Sequence, residues 1–133
     1  MSLSTIHRDI EAALQATKRF TSVGIWMGDI QALVDTPKMA PAAFVILSGV
    51  DYDEPATIGA KTAKNETLWS VIIFEYVSTS SNDEIAAYQA METTVAALIN
   101  LPIGNRRLWP VQGRLLGAVK NSIAAYGVQF SVL

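Results

Sequence analysis

Thr67-Leu68-Trp69-Ser70-Val71-Ile72-Ile73-Phe74-Glu75-Tyr76-Val77 is the stretch whose reading decides the fold. Successive side chains of a strand point to opposite faces. Leu68, Ser70, Ile72, Phe74 and Tyr76 therefore share one side, and Trp69, Val71, Ile73, Glu75 and Val77 share the other. Both rows are largely apolar, and a strand of that kind is covered on both sides. The pattern predicts helices over one face and a second cover over the other, for which a neighbouring subunit is a candidate in so small a domain. Trp69 and Phe74 read first as core residues and second as subunit-interface residues. Glu75 breaks its row: it is either a strand-end carboxylate facing water or half of an inter-subunit pair with a C-terminal arginine.

Upstream of this strand lies a second compact apolar run, Ala42 to Leu47, which reads as a buried strand. Between the two runs is the most polar stretch of the chain, residues 49 to 66, which predicts an elongated β-hairpin arm. Asp51-Tyr52-Asp53-Glu54 invites a calcium reading, but an EF-hand loop starting at Asp51 needs glycine at 56 and glutamate at 62. The chain has Ala56 and Thr62 there, so that reading fails. Further upstream, Ser4 or Thr5 can cap a helix carrying Ile6, Ile10, Ala13, Leu14 and Thr17 at helical spacing. Val23 to Met27 is a short run bracketed by glycines. Asp29 to Val34 fits a further strand or a short helical turn equally well.

Downstream, Ser81 or Asn82 is expected to cap a helix with Asp83 and Glu84 in its first turn. Ile85, Tyr88, Met91 or Glu92, Val95, Leu98 and Ile99 would form its buried face. Pro102 and Gly104 end it. Leu108-Trp109 can open another strand, and Leu115-Leu116-Gly117 follows a second possible turn. Ala124 to Leu133 alternates like a half-buried antiparallel strand. The chain has no internal repeat and no linker, so residues 1–133 are expected to form a single domain.

Composition narrows the function. The 133 residues are 50% apolar and 17% charged, which excludes a disordered or low-complexity chain. With no cysteine there is no disulfide framework, thiolate metal site or cysteine nucleophile. No apolar run is long enough for a membrane span and no signal-peptide hydrophobic region is present, so the expectation is a soluble intracellular protein without a membrane partner. Charge is unevenly placed. Residues 1–92 carry a net −6, whereas residues 93–133 carry Arg106, Arg107, Arg114 and Lys120 and no acid, a net +4. Such a split suits either ordinary solvated surface or a self-complementary one, in which the acidic part of one copy meets the basic part of the next.

Catalytic constellations are missing from the sequence. The lone histidine, His7, falls on the first turn of a predicted helix and has no nucleophile motif to serve. There is no P-loop, no dinucleotide fingerprint and no nucleophile elbow. Trp26, Trp69 and Trp109 are not interleaved with bases as an RNA-binding sheet requires. No catalytic, cofactor-binding or metal-ligating residue is assigned, and a binding or assembly protein is favoured over an enzyme.

The order helix, strand, long polar hairpin, strand, helix, Pro-Gly loop and paired C-terminal strands spans about residues 5 to 130. It is carried by Pro41 to Leu47, Thr67 to Glu75, the helix Tyr88 to Leu101, the loop Leu101 to Gly104 and the closing Ala125 to Phe130. It resembles the small tail-completion proteins of long-tailed bacteriophages, and more narrowly the Mu-like prophage tail proteins related to the tail terminators. That resemblance implies an α+β fold: a mixed or mainly antiparallel sheet with two helices packed on one face and a long β-hairpin arm. It also implies ring oligomers, often hexamers, that cap the tail tube and face the head connector. The setting would be the virion, and the host cytoplasm during assembly, with no cofactor and no reaction. Too few clustered bases are present to line a DNA channel, so direct nucleic-acid binding is not expected. Under this reading Asp51, Asp53, Glu54, Lys61 and Lys64 of the arm, with Glu75, Arg106, Arg107 and Arg114, are interface candidates. Two other classes compete. One is a head-tail joining protein of the same architecture; the other is a small-molecule-binding α+β domain with a pocket near Tyr76, Tyr88 and Trp109.

Overall fold

A computed structural model describes residues 2–35, 40–52, 54, 59, 65–76, 85–119 and 123–132. The elements are α1 (Leu3–Ala16), β1 (Ser22–Ile25), α2 (Ile30–Asp35), β2 (Ala42–Tyr52), β3 (Asn65–Tyr76), α3 (Ala86–Leu98), β4 (Pro102–Ile103), β5 (Arg106–Val119) and β6 (Ile123–Val132). The strands form one sheet in the order β1-β2-β3-β6-β5-β4. β1 joins β2 in parallel and every other pairing is antiparallel. The architecture is α+β, with a mixed sheet.

β3 sits near the centre of the sheet, and its two rows of side chains separate the way the alternation requires. Trp69, Val71 and Ile73 enter one core with Val45, Val128 and Phe130. Over this core lie Ile6, Ile10 and Leu14 of α1 and Ala90 and Leu98 of α3. Ile72 and Phe74 enter a second core on the opposite face, with Ala42, Ile46, Ile123 and Ala125. Its cover is Leu33 and Val34 of α2, with Trp26 and Ile30 packed alongside. The segment Asp29 to Val34 is thus helical from Ile30, and the second cover is supplied by this chain. Trp69 and Phe74 are fully buried, as core residues.

Three local readings differ from the structure. The first helix begins earlier than expected: Ser2 is the cap, its Oγ accepting from the Thr5 N–H at 3.1 Å. α3 buries Ala87, Ala90, Thr94 and Leu98, whereas Tyr88 and Ile99 are exposed. Leu98, Met91 and Val95 of the expected face do pack on the first core, alongside the small residues Ala87, Ala90 and Thr94, so only the two flanks of that face point outward. The Thr94 hydroxyl is satisfied on the Ala90 carbonyl at 2.8 Å. The expected cap at Ser81 or Asn82 and the acids Asp83 and Glu84 lie outside the described residues.

The third difference is β5, a single strand of 14 residues where a turn between Trp109 and Leu115 was expected. Its glycines do not turn the chain. A Cβ on Gly113 would stand 2.9 Å from the Met91 methyl, and one on Gly117 would stand 3.5 Å from Val34. Gly113 makes room for the Met91 methyl, whereas a Cβ on Gly117 would make an ordinary contact with Val34. Irregular pairing between Pro110 and Gln112 and between Leu115 and Gly117 bends the strand at Val111 and Leu116.

The β-hairpin is present as far as it is described. β2 and β3 pair from Ala42↔Phe74 to Tyr52↔Asn65, while β6 accompanies β3 only as far as Leu68. The hairpin therefore projects beyond the rest of the sheet at the Tyr52 end. Asp53, Lys61 and Lys64 of the expected arm lie outside the described residues.

Candidate functional site

The hairpin end gathers acids. Asp51 and Glu66 are directly opposed across β2 and β3, and both are exposed, as is Glu54. Like charges facing each other across a ladder destabilise it unless they are solvated or met by a cation. Glu66 Oε1 also accepts a hydrogen bond from the Ser131 hydroxyl at 2.5 Å. The bases lie across the sheet on β5. Arg107 and Arg114 are exposed and Arg106 is half-buried. Arg106 donates to the Val132 carbonyl at 2.7 Å, and Arg107 donates to the Asn100 carbonyl at 3.2 Å. Arg106 and Asp51 share the hairpin end but not a face: pairing puts Arg106 with Leu108 on the α1/α3 side and Asp51 with Glu66 on the other. The charge split of the sequence is therefore a split across the sheet, with acids on the β2–β3 side and bases on β5.

Glu75 occupies a different place from both readings made of it. It is 3% exposed, and its Oε2 lies 3.3 Å from the Arg19 guanidinium, just past the end of α1. Its Oε1 accepts from the Tyr76 N–H at 2.9 Å, and Arg19 also donates to the Ala86 carbonyl at 2.9 Å. One arginine thus ties α1, β3 and the start of α3 together inside the subunit.

His7 is part of the packing. Its ring meets Trp69 edge-on at 5.7 Å, and burial holds its pKa below the ordinary imidazole value, against the pull of Glu11 at 4.0 Å. Three hollows are open on the surface. One of about 390 Å³ lies between the hairpin, the start of α1 and the β4–β5 turn, lined by Leu3, Tyr52, Thr67 and Arg106 among others. A second, about 490 Å³ and mostly apolar, is lined by His7, Ile25, Met27, Leu47 and Trp69. A third of about 280 Å³ lies on the open part of the sheet beside α2, lined by Ser70, Gln112, Arg114 and Gln129. None of the three is lined by Tyr76, Tyr88 or Trp109. Among the described residues no group of three or more His, Asp or Glu could hold a metal ion, and no helix is long and apolar enough to cross a membrane.

The sheet edges are the feature that sequence reading missed. β4 covers only Arg106 and Arg107, and the chain at Asn100 and Leu101 continues that pairing to Leu108. From Trp109 to Val119, no strand among the described residues pairs with the outer side of β5. Trp109, Val111 and Leu115 are exposed there, Val111 at 56% and Leu115 at 58%. On the other margin β1 is likewise an edge, with Ile25 at 53% and Met27 at 93% exposed. Pro110, a residue tolerated in edge strands because it donates no ladder bond, was the available sequence signal for β5.

No family model matches the chain, and no curated protein matches it. Among solved structures, a chain of the "Virion of native gene transfer agent (GTA) particle" is similar. The two are 19% identical, with a TM-score of 0.47, over 91% of this chain and 81% of that chain.

Proposed function

We propose that this chain is a structural subunit of a phage-type virion, of the tail-terminator kind. Copies join into a ring that closes the end of the tail tube and presents a surface to the head connector, and no substrate is transformed. The observation that carries this reading is the pair of partly apolar sheet edges, on opposite margins of one small domain, that no other strand among the described residues covers. Exposed edges of this kind seek pairing partners. Identical subunits with two different sticky margins associate head to tail, which yields rings when the rotation closes. The separation of acids on the β2–β3 side from bases on β5 supports the same mode, because it makes one copy complementary to the next. The order of elements, which resembles the tail-completion proteins, supplies the tube and the connector as partners.

The test is the native mass of the purified chain across a concentration range, followed by electron microscopy alone and with tail tubes. Closed rings, and rings seated at one tube end, are the expected result. Rings seated on portal assemblies and not on tubes would reassign the protein to head-tail joining. Turnover of a compound, abolished by a single substitution, would overturn the reading altogether.

A further inference from the structure

The two free edges are matched in height, direction and chemistry. Height follows from the register. Gly24 pairs with Phe44, Phe44 with Ile72, Ile72 with Gly127, and Gly127 with Arg114, so a straight row of partners crosses from β1 to β5. On the next row toward the hairpin end, Ile25 stands level with Val45, Val71, Val128 and Gly113 in the same way. β1 therefore lies opposite the Gly113–Gly117 part of β5, where no strand among the described residues pairs with its outer side. Margins at one height are what a closed ring needs; an offset would generate a helical filament.

Direction follows from the topology. β1 runs with β2 and against β3, β6 runs against β3, and β5 runs against β6. β5 and β1 are thus antiparallel. Copies related by rotation about an axis along the strands bring the β5 of one against the β1 of the next in antiparallel orientation, and the sheet continues unbroken in kind. Chemistry agrees. Leu115 aligns through Tyr126 and Ile73 with the α1/α3 face, and Ile25 aligns through Val45 with the same face. At equal height Ile25 stands level with Gly113 and Leu115 with Val23, so the exposed Ile25 and Leu115 side chains are diagonal neighbours on one side of the junction. Two β5 edges, by contrast, would bring Arg114 of both copies to one seam, with no acid anywhere from residue 93 onward to offset them.

We infer that the outer edge of β5 is an interface for a second copy of this chain, whose β1 adds to it as an antiparallel strand. This rests on the ring-assembly reading above and names the surface that forms the ring. Backbone bonds across β5 and β1 supply the attachment, and Ile25 against Leu115 supplies the apolar contact.

The chain has no cysteine, so introduced thiols report contacts cleanly. Full-length Ile25→Cys and Leu115→Cys variants are prepared singly, mixed, and combined in one chain, then treated with a short bifunctional maleimide at concentrations where the native protein is oligomeric. The expected result is no crosslinked dimer from either single variant, a dimer from the mixture, and a ladder ending at the ring size from the combined variant. Leu115→Lys and Val111→Lys, at exposed sites, should leave the fold unchanged by circular dichroism and weaken self-association by about tenfold or more. A dimer from Leu115→Cys alone means paired β5 edges, and one from Ile25→Cys alone means paired β1 edges; either overturns the inference. Rings that persist in both lysine variants without crosslinking of the mixture also overturn it, and leave the ring reading standing. A native chain that stays monomeric at every concentration and on tail tubes defeats that reading and the inference together.

Discussion

Glu75 and Arg19 show how one residue can be misplaced by a pattern that is otherwise right. The alternation assigns Glu75 to the row of Trp69, Val71 and Ile73, and that is where it lies, but the row is buried by helices along its whole length. A carboxylate so enclosed needs a cation, and Arg19 provides it from 56 positions away in sequence. Removing one partner leaves the other buried and uncompensated. Arg19→Ala is expected to destabilise the fold by about 3 kcal/mol in denaturant unfolding, near the low end for buried pairs because Arg19 is itself part-exposed. The double variant Arg19→Met with Glu75→Gln should recover part of that loss, a coupling measured by the full mutant cycle. His7 carries a pH signature. Its burial against Trp69 lowers its folded pKa, so in the unfolded chain it takes up a proton at a higher pH than in the folded one. Above the ordinary imidazole value it adds no pH dependence. As pH falls through that value toward the lowered one, the fold loses stability. His7→Gln should flatten the fall in unfolding midpoint between about pH 7 and pH 5, and an unchanged slope would assign it to other groups.

At the scale of elements, helix ends explain more than helix middles. α1 closes with Thr17 and Lys18 N–H groups donating back to Leu14 and Gln15, which places Lys18 at φ +56. That is the left-handed position where glycine is favoured, and lysine holds it at a steric cost. Lys18→Gly is expected to stabilise the protein by about 0.5–1 kcal/mol, read as a raised melting temperature. A lower melting temperature would mean that the lysine side chain is needed there. α3 reaches a similar position at Asn100, φ +60, where asparagine is the residue other than glycine best suited to it. The β4–β5 connection uses Gly104 at φ +63 as the first of two turn residues, as a tight two-residue hairpin turn requires. These ends fix where the long strands start and stop, and through them where the sheet margins lie.

For the whole molecule, the decisive property is an asymmetry of charge between the hairpin end and β5. The hairpin side bears Asp51, Glu54 and Glu66, and β5 bears Arg107 and Arg114. If that asymmetry guides assembly, Arg107→Glu with Arg114→Glu should weaken self-association, and raising salt should weaken the native assembly too, with less effect on the variant. Sedimentation of both proteins at low and high salt checks this, and circular dichroism confirms that the exposed substitutions leave the fold intact. Equal association of the two proteins would remove charge from the account and leave the apolar edges as its basis.

Much of the fold was legible because it depends on short-range periodicity. The alternating rows of β3, the run Ala42 to Leu47, the spacing of Ile6, Ile10 and Leu14, and the closing alternation from Ala124 each state their own element and inward face. α3 was legible as a helix, and Met91, Val95 and Leu98 of its expected face do pack on the first core, but bulk did not mark the close approach of Ala87, Ala90 and Thr94. The Arg19–Glu75 pair and the second cover by α2 were not legible, since each joins segments distant in the chain. The edges were least legible of all. Whether a strand is central or marginal depends on which others lie beside it, and Pro110 alone within Trp109 to Val119 hints that β6 takes one side and no described strand takes the other. The sequence by itself determined the elements, the two-sided core and the imbalance of charge. Only the tertiary structure decided which residues stand at the margins, because strand order is a long-range property of the packed chain.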